Sequence, residues 1–201
     1  MPTSRRFILA AAMAVLPLGA MAQAPATTRI RGTIVSVDGA TMTVATRTGQ
    51  TVAIALADNL TVSSVKKLDL SALTDKAYVG MTTRTGPDGK TTAIEVHVFP
   101  ESARGAGEGS RPWDLEPNTT MTNGTITGAI TATAGRELTV TYKDGTKTVF
   151  VPPQVPIVTF VPAQRADLKP GAAVFLIATD DGGKLSASRV TVGKDGVEPP
   201  M

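Results

Sequence analysis

The sequence predicts an all-β fold of two tandem five-stranded OB-like barrels joined by an ordered connector. Three observations lead there. A β-rich pattern of roughly seventy residues is written twice, over 29–98 and 124–193. Apolar and polar residues alternate at period two between turns rich in Gly and Asp, the mark of half-buried strands. Each copy also runs as three strands, an irregular crossover and two strands, the order of an OB-type barrel. The other segments are an export signal over 1–22, a connector over 99–123 and a tail over 194–201. One continuous β-sandwich of about ten strands is the alternative architecture.

In the first copy, residues 30–37 alternate, Asp38-Gly39 turns, Met42-Thr43-Val44 resumes a strand, Thr48-Gly49 turns, and 51–56 form a third strand. Hairpin signals at that spacing predict a meander. Residues 57–76 read as irregular, pegged by Leu68, Leu70 and Leu73, with a helical turn near 69–73. Strands over 77–83 and 91–98, joined by Gly86-Pro87-Asp88-Gly89, close the unit. The second copy repeats this order with strands over 126–133, 138–140 and 149–151. A crossover follows, with a helical turn near 163–168 and Leu168 matching Leu73, and strands over 172–178 and 185–192 end the copy. Gly128 is matched to Gly32, where the first strand of such a barrel must bend sharply.

Residues 1–22 have the parts of a secretory signal: Arg5-Arg6, an apolar run over 7–18, and Ala20-Met21-Ala22 ahead of a cleavage after Ala22. That run is shorter than the about 20 apolar residues a spanning helix needs, so no transmembrane segment is expected after cleavage. Ser4-Arg5-Arg6-Phe7-Ile8-Leu9 suits the twin-arginine route as well as the general secretory one. Either makes the mature chain periplasmic or secreted. Cleavage removes two of the 20 basic residues, leaving 18 against 17 acidic ones. Such a near-neutral surface has no footprint for a polyphosphate, so nucleic acid is not an expected partner. The chain has no cysteine, hence neither disulfides nor a thiolate metal site. Core burial must hold it together, and one barrel of this size buries only about 60% of its unfolded surface. Two barrels packed through a structured connector answer that problem.

The motifs that suggest chemistry do not hold together. Gly86-Pro87-Asp88-Gly89-Lys90-Thr91 resembles the end of a phosphate loop, but Arg84 stands at the required first glycine and the segment joins two strands. Gly105-Ala106-Gly107-Glu108-Gly109 is followed by Arg111-Pro112, so no helix N-terminus meets a pyrophosphate. With one histidine, His97, and no cysteine, only Ser110 beside His97 suggests an activated nucleophile, and no third group orients it. Neither an enzyme nor a bound cofactor is expected. In the strand over 91–98, Ile94, Val96 and Val98 should face the core, leaving Glu95 and His97 outward together. With Glu101 nearby, they are the candidate ligands of a weak divalent-metal site, and a periplasmic metal-handling accessory is the alternative function.

The connector carries Phe99, Trp113, Leu115 and Met121 among Glu101, Arg104, Glu108, Arg111, Asp114 and Glu116. A disposable linker lacks such large apolar residues, so this one should fold back on the barrels. Arg104, Arg111, Trp113 and Asp114 are the candidate binding residues.

Three blocks of the connector carry a resemblance: Val96-His97-Val98-Phe99-Pro100-Glu101, the run Arg104-Gly105-Ala106-Gly107-Glu108-Gly109-Ser110-Arg111-Pro112-Trp113-Asp114, and Met121-Thr122-Asn123. They resemble the connector of an uncharacterised family of exported bacterial proteins with small OB-like barrels, filed as a domain of unknown function. Some relatives are labelled metal transporter permeases, at odds with a chain that shows no membrane span. The resemblance covers most of the mature chain and implies a periplasmic home and the barrel fold, with no catalytic residues to carry over. Where such relatives place a histidine before Arg-Pro-Trp, this chain has Ser110, which removes that position from any metal site. The expectation is a soluble, non-enzymatic binding or assembly module, its partner an unknown periplasmic protein or small ligand.

Overall fold

The computed structural model describes residues 26–132 and 135–199. The expected export signal and the last two residues of the expected tail lie outside them. In chain order the strands are β1 (Ala26–Asp38), β2 (Thr41–Thr46), β3 (Thr51–Lys67), β4 (Tyr78–Thr85), β5 (Thr91–Val98) and β6 (Gly109–Trp113). They continue with β7 (Thr119–Ala132), β8 (Gly135–Tyr142), β9 (Gly145–Val151), β10 (Ile157–Pro162), β11 (Ala173–Asp181) and β12 (Lys184–Val192). Among the described residues there is no α-helix, only 3-10 turns at Leu70–Ala72, Glu101–Ala103 and Arg165–Asp167. The protein is all-β.

Five strands close a barrel. β1 pairs with β2 and β2 with β3; β3 runs parallel to β12, β12 pairs with β11, and β11 returns antiparallel to β1. Period-two alternation turns Ile34, Met42, Val44, Ile54, Leu176 and Val190 inward, and together they form one buried core. A second ring of the same order joins β7, β8 and β9 to β5 and β4, closing through a single parallel bridge between Thr92 and Phe150. Its core holds Val79, Met81, Val96, Ile126, Leu138 and Val149. The expected boundaries at 29–98 and 124–193 are therefore corrected. Neither sequence copy closes on itself, and each ring takes three strands from one copy and the final hairpin from the other.

The exchange follows from the crossovers. Residues 57–67, expected to be irregular, instead extend β3 to Lys67. The chain then reaches the second ring through the turn at Leu70–Ala72, after which Leu73 plugs that ring's core. The second copy makes the reverse journey. Its crossover contains β10, which pairs antiparallel with the end of β3 and parallel with β5, stitching the two rings together. The turn at Arg165–Asp167 then delivers Leu168 into the first core. Both helical turns and both leucine pegs stand where the sequence predicts them, each serving the ring of strands opposite to the copy it was expected to serve.

Register corrects one equivalence. The β1–β2 ladder shifts between Ile34 and Ser36, and the β7–β8 ladder shifts between Ile126 and Gly128. Ile34 thus corresponds to Ile126, and Gly32 to Gly124, not Gly128. A Cβ at Gly32 would lie 2.1 Å from the Ala45 carbonyl oxygen, and one at Gly124 would lie 2.5 Å from that of Thr141. Only glycine lets the strands approach so closely. Gly32→Ala and Gly124→Ala should each cost about 1–3 kcal/mol, whereas Gly128→Ala, whose added Cβ would meet Thr139 at 3.5 Å, should be nearly neutral. Urea unfolding of the three variants checks this, and equal losses would refute the equivalence.

Candidate binding site at the connector

The connector begins by tying itself down. After the Glu101–Ala103 turn, Arg104 makes a two-pronged contact with Glu101, Nε at 2.6 Å and Nη2 at 2.7 Å, and also donates to the Lys76 carbonyl at 2.9 Å. Glycines with φ of +84° and +57° at Gly105 and Gly107 allow a tight reversal that side-chain-bearing residues disfavour. Tyr78 Oη and Asn123 Nδ2 both donate to the Ala106 carbonyl, and Arg111 Nη1 donates to that of Gly107. From there β6 lies antiparallel on β7, Gly109 opposite Asn123 and Trp113 opposite Thr119. Expected as an ordered connector, the segment has become part of the sheet.

That pairing delivers Trp113 to the first barrel. Arg29 stacks 4.1 Å from its ring centroid, and the guanidinium carbons of Arg31 and Arg111 both lie 5.7 Å away. Guanidinium groups are drawn to the negative face of an indole ring. Asp114 receives a hydrogen bond from Arg31 Nη2 at 2.8 Å and lies 3.6 Å from Arg29 Nη1. Burial opposes ionisation of Asp114, but the hydrogen bond and the two positive charges prevail and hold its carboxyl below the usual range. Thr119 Oγ1 donates to the Trp113 and Glu116 carbonyls, and Glu116 pairs with Arg84. Arg31 Nε and Trp113 Nε1 are buried donors with no hydrogen-bond partner among the described residues.

Of the four candidate binding residues, Arg111, Trp113 and Asp114 come together, while Arg104 is occupied at the other end of the connector by Glu101. Arg29 and Arg31 were missed. Two arginines two apart on a strand share one face, which was legible. Their meeting with a tryptophan 82 positions away from Arg31 was not.

Glu95 and His97 require a correction. They do share a face of β5, but it is covered, leaving Glu95 2% and His97 1% exposed. His97 packs edge-on against Phe160 of β10, whose ring also meets Phe99. Glu95 accepts a 2.6 Å hydrogen bond from Thr82 Oγ1, and His97 Nε2 stands 3.8 Å from its Oε1. Burial pushes the Glu95 carboxyl up to about 7, against the opposing pull of Thr82, Arg31 and Arg47. Alternation reveals which residues share a face but not that a strand from the distant copy will cover it. Glu101 is engaged with Arg104, and no group of three or more His, Cys, Asp or Glu side chains placed to hold a metal occurs among the described residues. Ser110 Oγ lies 2.9 Å from Thr122 Oγ1 and 3.2 Å from Lys147 Nζ.

Two cavities flank this region. One, of about 490 Å3, is lined by Arg29, Arg31, Arg47, Asp114, Leu115 and Asp180, among others. The other, of about 470 Å3, includes Arg47, Lys67, Glu95, Leu115, Val158 and Glu198 in its wall. Arg47 and Leu115 belong to both. No helix among the described residues is long and apolar enough to cross a membrane. Comparison of the chain with protein-family models, with curated proteins and with solved structures gave no match.

Proposed function

We propose that this is an exported, non-enzymatic binding or assembly module. In this reading, two OB-like barrels exchange their closing hairpins, and the Trp113 connector forms one wall of the binding site. The observation that carries it is Trp113 set among Arg29, Arg31 and Arg111 at the edge of a cleft of about 490 Å3. Clefts of this size with a few convergent polar groups are where small ligands bind, and aromatic and arginine side chains dominate binding energies at interfaces. Buried donors lacking acceptors, Arg31 Nε and Trp113 Nε1, cost stability that an accepting ligand would recover. The signal over 1–22 and the family resemblance support a periplasmic location.

Native mass spectrometry of the protein released from the periplasm tests the reading. We expect an associated species, lost in Trp113→Ala while the β-sheet circular dichroism signal persists. A bare chain that also gives no crosslinks from the Trp113 region would overturn it. Loss of the folded signal in Trp113→Ala would assign the tryptophan a purely structural role.

A further inference from the structure

The cavity of about 470 Å3 beside the Trp113 cleft has a charge balance that specifies its occupant. Arg47 and Lys67 both line it, and among the described residues neither side chain makes an ion pair or hydrogen bond. Of the acids in the wall, Glu116 is paired with Arg84, and Glu95 is buried with its carboxyl raised to about 7, so that it is mostly protonated at pH 6. Among the described residues Glu198 remains, leaving the two cations one charge in excess at that pH. The rest of the wall is apolar, with Ile94, Leu115, Pro156 and Val158.

We propose that this cavity binds a small monocarboxylate with an apolar tail, its carboxylate between Arg47 and Lys67 and its tail against Leu115, Pro156 and Val158. The inference rests on the binding-module reading and names its ligand class. Two cations opposed by one free carboxylate match a single negative charge. A dianion would leave one charge uncompensated over Glu198 and Glu95, and an amine would face Arg47 and Lys67 directly. Glu95 lies in the wall with Thr82 behind it on β4, Arg31 facing it from β1, Arg47 from the β2–β3 turn and His97 beside it on β5. Protonated, Glu95 can donate to the bound carboxylate; ionised, it repels it. Affinity should therefore fall as pH rises through the Glu95 titration.

Calorimetric titration of the purified protein with octanoate, octylamine and inorganic phosphate, at pH 6 and pH 8.5, tests this. We expect one octanoate per chain, bound more tightly at pH 6, and no measurable heat from octylamine or phosphate. Arg47→Gln and Lys67→Gln should each weaken octanoate about tenfold. Both side chains are exposed, so melting temperatures should stay close to wild type. Octanoate binding that survives both substitutions, equal binding of octylamine, or no octanoate binding at pH 6 would each overturn the proposal. Such a failure, with a co-purifying species still retained in Lys67→Gln, whose side chain lines this cavity and not the Trp113 cleft, would leave the binding-module reading standing and return attention to that cleft.

Discussion

Glu95→Gln should stabilise the protein by about 3 kcal/mol at pH 8 and leave it nearly unchanged at pH 4. The folded-state carboxyl titrates near 7 against an ordinary 4.5, with burial as the main cause. Between those values the folded chain holds a proton that the unfolded chain has released. Stability therefore declines as pH rises through that window, and the full cost applies above it. Below 4.5 both states are protonated and the residue costs nothing. Glutamine keeps an acceptor for Thr82 Oγ1, which reaches Glu95 at 2.6 Å, and carries no charge to desolvate. For a chain of this size the gain at pH 8 corresponds to a melting-point rise of about 10 °C. Thermal unfolding of both proteins at pH 4 and pH 8 gives the answer. An equal difference at the two pH values, or a loss at pH 8, would show that the carboxylate is accommodated without strain.

The same residue shows what was readable in the sequence. That Glu95 and His97 share a face follows from period two. That the face is buried depends on Phe160 and Arg31, each brought in from a distant segment. The five strands expected in each copy, the two turns and the pegs Leu73 and Leu168 were legible, because alternation, turn residues and short apolar spacings are local, whereas β10, inside the second crossover, was not. Register was harder, since a bulge after Ile126 moved the equivalence of Gly32 from Gly128 to Gly124. Choice of partner was not legible at all. Both copies carry the same apolar alternation, so β11 and β12 satisfy the edges of β1 and β3 as well as those of their own copy's strands. The length of β3 and the pairing of β10 decide the matter, and residues 57–67 gave no strong strand signal. At the site, Trp113 stood out as a large apolar residue in a polar connector. Two of its arginine partners, Arg29 and Arg31, lie on β1, and only the fold brings them to it.

If the hairpins are exchanged, energetic coupling must cross between the sequence copies. Leu176 on β11 and Ile34 on β1 belong to one buried core, exposed 2% and 1%, while Ile126 belongs to the other. Leu176→Ala should cost about 2–5 kcal/mol and Ile34→Val about 1 kcal/mol. Neighbours in one core relax into the same cavity, so their double mutant should depart from additivity by about 0.5 kcal/mol or more. Leu176→Ala combined with Ile126→Val should instead be additive within that margin. An unexchanged arrangement reverses both expectations, since Leu176 would then share a core with Ile126. Denaturant unfolding of the three single and two double mutants separates the cases, provided one transition is observed. Two transitions would be more informative still. Leu176→Ala should then lower the transition that Ile34→Val lowers, leaving the other unmoved, although residue 176 lies in the second sequence copy and residue 34 in the first. The two copies would then be bound to fold together, since neither possesses a complete barrel.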